Sequence, residues 1–439
     1  ILDDTIVMIC SDNGASAEGG EHGSFNEHAW ALGQEDDVEV SLARMDELGG
    51  PRAYGHYSWG WAWAGNTPFR LWKRYTWLGG VRTPLVVHWP ARIAGDDRGA
   101  VREQFCHAID LAPTVLEAAG IPVPASVDGV DQQPMHGASL LPSFTAGDAP
   151  ARDVQYFEML GSRAIVEGRW KATTDHISQG VPDEAALVGS RDFARDHWAL
   201  FDLDADFAEA RDVSALHPET VRRLEDLWWR EAGRYDVLPL DDTLTGRIMA
   251  MEPSPHPPRY RWTFRPGLGV AEEGAPPLAG GFHLTAHVTP VAPVADPAGI
   301  LCAQGDWSNG WALAVLDGRP AFLLSRFGVP TRVVADAPLP PDARRIGVEY
   351  DRQDPGGGPV RLTVDGTVVA EGRLERDLPF RWQIGGARLH VGEDRGLPVS
   401  DDYRPPFPFT GTVERVVFEL PYLAFLEDRV DARASLATD

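Results

Sequence analysis

Thr5–Cys10 reads TIVMIC, and Ser11-Asp12-Asn13-Gly14 follows it at once. A nearly all-apolar run of this length has the character of a strand covered on both faces, as in a parallel sheet flanked by helices. A second such run, Thr83–Trp89 (TPLVVHW), is stopped by Pro90. Helical patterns alternate with these runs. Val38, Leu42, Met45 and Leu48 are spaced for one face of a helix over Asp37–Leu48, and Gly49-Gly50-Pro51 supplies its stop. Asp110 is placed to cap a helix running to Ala119, with Pro113 in its first turn and Gly120 just past its end. Alternating strand and helix patterns are the signature of the α/β class. Within it, Cys10 and His88 are expected to be buried in their strands.

From about Gln155 the pattern shifts to short strands, Ser162–Glu167 and Trp198–Asp202. A helix over Pro218–Ala232 follows, with Val221, Leu224, Leu227 and Trp228 on one face. Glu252–Pro258 (EPSPHPP) then reads as a stiff boundary. Beyond it, Phe282, Leu284, Ala286 and Val288 alternate with polar residues at a period of two. Asp317-Gly318 and Asp365-Gly366 each sit between alternating runs, which is a strong hairpin signal. With further strands at Arg345–Tyr350 and Thr412–Leu420, and a helical stretch only near Tyr422, this part predicts an antiparallel sandwich. The domain boundaries expected are 1–150, 151–250 and 259–425.

Composition narrows the function classes. The chain has 439 residues, a net charge of −25, 45 glycines and 36 prolines. Such an acidic chain is a poor partner for nucleic acid or an anionic membrane, both of which select clustered Lys and Arg. Cys10, Cys106 and Cys302 are too scattered for a disulfide framework or a cysteine zinc site. No apolar run reaches the roughly 18 residues of a membrane span. The chain opens on Ile1, almost directly into TIVMIC, without the features of a signal peptide, and reads as one that continues an upstream segment. A soluble protein, cytoplasmic or periplasmic, is expected.

Two places offer chemistry. Asp12 and Asn13, at the end of the first strand, present hard oxygen donors of the kind that suit Ca²⁺ or Mg²⁺. Asn13-Gly14 is equally a type I′ hairpin pair, although Ala15–Glu27 offers no alternating strand to return through. Lys73 stands among Trp72, Tyr75 and Trp77, where it would either snorkel beside the rings or turn its ammonium toward an oxyanion in a cleft. His56, among Tyr54, Tyr57 and Trp59, is a candidate for a substrate mouth or an ordinary loop histidine. The Asp306–Trp311 stretch (DWSNGW) is a candidate for sugar stacking, against core packing.

Taken together, SDNGASAEGG after its strand, GSFNE at Gly23–Glu27, AGNTPFRLWKRYTWLGGVRTPLVVHWP at Ala64–Pro90, CHAIDLAPTVLEAAGI at Cys106–Ile121 and GASLLPSF at Gly137–Phe144 resemble the arylsulfatases of the alkaline-phosphatase-like superfamily. The resemblance covers about residues 1–245, with the blocks in the family's order. It implies an α/β fold: part of an alkaline-phosphatase-like sulfatase core, a small α+β subdomain, and then a β-sandwich of concanavalin-like type. It also implies sulfuric ester hydrolysis, with Asp12 and Asn13 as metal ligands (calcium before magnesium), and Lys73 on the sulfate oxygens. The substrate implied is a small-molecule or glycan sulfate ester. The alternatives are phosphate or phosphonate ester hydrolysis at the same kind of site, and a non-enzymatic carbohydrate-binding role for the sandwich.

The family's nucleophile is a formylglycine made from Cys or Ser in a C/S-x-P-S-R motif, and no residue here stands in that motif. The family's adjacent acidic pair is not matched either, because Asp3-Asp4 precede a strand instead of following one. Formylglycine is therefore expected on an upstream segment, and the 439 residues by themselves are expected to be inactive. Trp77-Leu78 replaces the more polar pair common before Gly-Gly, which alters the pocket the family would offer.

Overall fold

A computed structural model describes residues 1–30, 36–93, 95–150, 152–176, 192–242, 259–289, 297–353, 356–379, 381–383 and 386–420. The chain divides into two compact units, one formed by residues 1–17 with 59–247 and the other by residues 18–58 with 248–439. The Pro-rich 252–258 stretch and the helical pattern near residue 422 lie outside the described residues.

In the first unit, β1 (Val7–Cys10) pairs antiparallel with β2 (Leu85–His88), Val7 opposite His88 and Cys10 opposite Leu85. No third strand joins this ladder among the described residues. The expectation of a parallel strand covered on both faces is corrected on both counts. Ile9 is 64% exposed and Val86 57%, and Cys10 and His88 are exposed as well. Among the described residues no layer covers this two-stranded ladder, so neither face is fully buried. The helix Leu111–Ala119 ends where expected, on Gly120 at φ 67°. Asp110 precedes it but does not cap it. Its carboxylate accepts from His107 N (2.8 Å) and Ala138 N (2.9 Å) and pairs with Arg152.

A two-residue pair, β3 (Ser126–Val127) and β4 (Val130–Asp131), leads to a four-stranded antiparallel sheet. Its strands, in order, are β5 (Val154–Met159), β6 (Ser162–Glu167), β7 (Trp170–Thr173) and β8 (Ala199–Asp202). The helix Pro218–Arg234 starts with proline in its first turn, where no N–H is needed. It lays Leu224, Trp228 and Ala232, four residues apart, onto Ile165, Ala172, Trp198 and Leu200 of this sheet layer.

In the second unit the helix expected over Asp37–Leu48 is shorter. Asp37 caps Val38–Ala43 through Glu39 N and Val40 N, the backbone leaves helical geometry at Arg44, and a 3₁₀ turn takes Met45–Glu47. Val38, Leu42, Met45 and Leu48 are each more than half exposed, so the apolar stripe finds no partner to hold it as one helix.

The remainder is an antiparallel sandwich. Its strands are β9 (Arg261–Phe264), β10 (Phe282–Thr289), β11 (Gly299–Gly305), β12 (Asn309–Leu316), β13 (Arg319–Arg326), β14 (Val329–Val334), β15 (Arg345–Tyr350), β16 (Gly358–Val364), β17 (Thr367–Leu374), β18 (Leu389–Val391) and β19 (Thr412–Glu419). One sheet runs β17-β16-β15-β10-β19-β9 and the other β14-β13-β12-β11-β18. β10 buries every second residue, as its period predicts, and Phe282 meets Trp311 of the other sheet at 6.3 Å between ring centroids. Asp317-Gly318 and Asp365-Gly366 turn β12 into β13 and β16 into β17 with φ positive at both residues, the geometry of type I′. Trp311 is fully buried in the core, so of the DWSNGW tryptophans only half-buried Trp307 reaches solvent.

Candidate functional site

The chain leaving β1 is stitched to residues 66–83 by its own backbone. Thr83 Oγ1 donates to Ser11 O (3.0 Å), Gly14 N to Gly80 O (2.9 Å), and Lys73 N to Ala15 O (2.9 Å). Asn66 ties the knot: its Oδ1 accepts from Ala15 N (3.0 Å), and its Nδ2 donates to Leu71 O (2.8 Å) and Gly79 O (2.9 Å). The approach is too close for side chains. A Cβ on Gly14 would stand 1.6 Å from Gly79 O, and one on Gly80 would stand 1.9 Å from Tyr75 O. The glycines of Asp12-Asn13-Gly14 and of Leu78-Gly79-Gly80 are thus two halves of one contact, although 65 or so residues separate them in sequence.

This arrangement places Asp12 and Asn13 on an anchored loop. Neither Asn13 nor Gly14 has the positive φ of a type I′ turn, and β1 returns through β2 instead of a hairpin at this point. Asp12 is exposed and Asn13 half-buried. Asn13 Nδ2 donates to Gly14 O (2.9 Å), leaving the amide oxygen as the acceptor end of the side chain. A carboxylate beside an amide oxygen is a donor set that fits a hard divalent ion, supplying two of the six to eight oxygens calcium takes.

Lys73 lies half-buried on the same piece of structure, its backbone bonded to the Ala15 carbonyl. Trp72 and Tyr75 beside it are buried and meet edge to face at 5.6 Å, and Trp59 stacks on Trp72 at 6.0 Å. Leu71 and Arg74 hold φ of 60° and 87°, a left-handed backbone that side chains resist and that tight packing must maintain. Gly65–Pro84 carries Arg70, Lys73, Arg74 and Arg82 and no acidic residue, in a chain of net charge −25.

The segment is held from beneath by residues that sequence reading missed. Thr76 Oγ1 meets Thr173 Oγ1 of β7 at 2.9 Å, and Trp77 packs on Phe201 of β8 at 5.2 Å. Glu209 is fully buried. One of its carboxylate oxygens accepts from Leu78 N (2.6 Å), the other from Lys171 Nζ of β7, and its own carbonyl accepts from Arg70 Nη1 (3.3 Å). Burial pushes the Lys171 pKa down, against the charge and hydrogen bond of Glu209. No local pattern marks Lys171 or Glu209, because each is defined by a partner distant in the chain. His56 belongs to the other unit, where its backbone pairs with Ser24.

A family model described as sulfatase matches residues 1–121, and one described as the C-terminal part of N-sulphoglucosamine sulphohydrolase matches residues 69–177. Over residues 1–177 the chain is thus similar to sulfatases. An uncharacterized sulfatase of Schizosaccharomyces pombe is 29% identical over 259 residues, covering 58% of this chain and 43% of that protein. Arylsulfatase A of Homo sapiens is 29% identical over 174 residues, covering 36% of this chain and 32% of that protein. A solved sulfatase structure from Pseudoalteromonas sp. aligns with 55% of this chain and 39% of its own at 18% identity and a TM-score of 0.32. The chain therefore spans less than half the length of these sulfatases, and the sulfatase family model takes in the stitched Asp12–Ala15 and Asn66–Thr83 segments. No helix among the described residues is long and apolar enough to cross a membrane.

Proposed function

We propose that this chain serves a sulfuric ester hydrolase of the arylsulfatase type, acting on a small-molecule or glycan sulfate ester. Asp12 and Asn13 would hold a divalent cation, calcium before magnesium, and Lys73 would bind the ester's sulfate oxygens. The observation that supports this most is the bond from Lys73 N to Ala15 O (2.9 Å), which makes the Asp12-Asn13 loop and the lysine segment one anchored piece. The cation, when bound, supplies positive charge against sulfate oxygens. Lys73 adds a fixed ammonium. A sulfate monoester is a monoanion and gains charge as its ester bond breaks, so this cation favours the transition state over the ground state. The aromatic bed of Trp72 and Tyr75 and the Glu209 brace keep that part of the backbone from shifting as charge develops. An ammonium at Lys73 suits either a sulfate or a phosphate ester, and the sulfate reading rests on the sulfatase sequence blocks.

The reading is tested on the whole chain by calorimetric titration of Ca²⁺, followed by titration of a chromogenic aryl sulfate. Asp12→Ala is expected to lose the calcium heat. Lys73→Ala is expected to keep it and to weaken aryl sulfate binding about 10- to 100-fold, the worth of one charge-assisted contact. Equal affinities in Lys73→Ala and the unmodified chain would refute the assignment. Because no residue of the 439 stands in the nucleophile motif, the chain alone is expected not to turn the ester over, and turnover that disappears in Asp12→Ala would overturn that expectation.

A further inference from the structure

Glu18, Glu27 and His56 converge in the second unit. One ligand atom from each lies within 4.8 Å of the others, and all three residues are half-buried. The convergence is built by the backbone. Ser24 N donates to His56 O (2.8 Å) and His56 N to Ser24 O (2.7 Å), while Glu27 N donates to Tyr54 O (2.8 Å). Tyr54 is held in turn by the His28 ring stacked on it at 4.4 Å. Gly19 lets the turn bearing Glu18 close over His56, since a Cβ there would stand 2.9 Å from His56 Cβ. Gly23, at φ 80°, does the same beside the His56 carbonyl. Donors carried on paired backbone and brought together from well-separated positions are pre-positioned, which is what a binding site requires.

We propose that Glu18, Glu27 and His56, a donor set that does not include Asp12 or Asn13, bind a transition-metal ion of the zinc class. Two carboxylates with one imidazole are a borderline donor set that selects zinc or its first-row neighbours, where calcium and magnesium take oxygen alone. Around zinc, with bonds of about 2.0–2.2 Å, tetrahedral ligands stand about 3.3 Å apart, so the three groups need only a modest closure. His56 Nδ1 lies 3.4 Å from Tyr57 O. That carbonyl is the kind of outer partner that fixes a ligating imidazole's tautomer, and with Nδ1 so held, Nε2 would be the nitrogen offered to the metal. Two carboxylates balance the ion's charge, and three protein ligands leave the fourth position to water or an anion, the pattern of a zinc site open to exchange. The proposal does not depend on the hydrolase reading.

The test uses the full chain stripped with a chelator, titrated with Zn²⁺ by calorimetry and with Co²⁺ by visible absorption. One equivalent of Zn²⁺ is expected at this site, and Co²⁺ should show the intense bands of low-coordinate cobalt. His56→Ala and Glu27→Gln should each lower Zn²⁺ affinity by ~100-fold or more, since changing even an outer partner costs 10- to 100-fold. Asp12→Ala should leave it unchanged. Glu27→Gln keeps the side chain's shape, so its result stands even if His56→Ala does not fold. Absence of Zn²⁺ binding by the folded unmodified chain, only the weak bands of hydrated Co²⁺, or full affinity in Glu27→Gln would each overturn the proposal.

Discussion

Glu209→Ala isolates the brace beneath the Lys73 segment. In the native structure both Glu209 and Lys171 are 0% exposed, and the carboxylate serves Leu78 N and Lys171 Nζ together. Removing it leaves an ammonium buried without its counter-charge, a loss of about 3–5 kcal/mol. It also strands the Leu78 N–H, whose lost partner costs about 1–3 kcal/mol on its own. The two terms share one carboxylate and do not simply add, so about 4 kcal/mol is the expected loss. That is a large part of a domain stability of roughly 5–15 kcal/mol. The pair is not a net source of stability by this reasoning. Lys171→Met combined with Glu209→Leu removes both charges and fills the volume, and should recover most of the loss, short of the stranded Leu78 N–H. Urea unfolding of the unmodified chain, Glu209→Leu, Lys171→Met and the double variant, followed by tryptophan fluorescence with Trp77 and Trp198 as local reporters, gives the full double-mutant cycle, with Glu209→Ala measured beside it. A Glu209→Ala loss below about 1 kcal/mol, or a double variant as unstable as the two single losses summed, would refute the argument.

His176 supplies a pH-dependent counterpart. Burial alone would lower its pKa, but hydrogen bonds from Nδ1 to Asp196 (2.8 Å) and from Nε2 to Asp242 (3.1 Å), with both carboxylate charges, raise it above 6.5. Its contribution is therefore complete below 6.5 and fades as pH rises through the raised folded value, so the urea midpoint should fall over that range and the slope should flatten in His176→Asn. A midpoint equally pH-dependent in both proteins would count against it. Gly79→Ala would put a Cβ 2.1 Å from Arg70 O and 2.3 Å from Leu71 O. It should cost about 1–3 kcal/mol or more by overpacking, and, on the proposed metal reading, it should weaken Ca²⁺ binding, because the Gly14–Gly80 bond shifts with it. Native stability in that variant would show that the backbone crossing is looser than described.

Local signals in this sequence carried as far as local physics does. Asp317-Gly318 and Asp365-Gly366 announce their hairpins because a two-residue type I′ turn depends on those two residues alone. β10 and the helix Pro218–Arg234 follow from their periods, since a half-buried element needs matching apolar spacing whatever lies opposite. Asp12, Asn13, Gly14 and Lys73 could be singled out from short motifs. How they are joined could not: the Gly14–Gly80 and Lys73–Ala15 bonds depend on chain crossings that no period encodes. The apolar run Thr5–Cys10 reads as a covered strand from composition, while cover itself is decided by which layers pack against it. Among the described residues it has an antiparallel partner on one edge and solvent on its faces. Lys171 with Glu209, and Glu18 with Glu27 and His56, are ordinary charged residues in sequence. Only tertiary structure makes them a buried pair and a donor cluster, because Coulomb energy and coordination depend on distance in space and on the exclusion of water, neither of which is written at any single position.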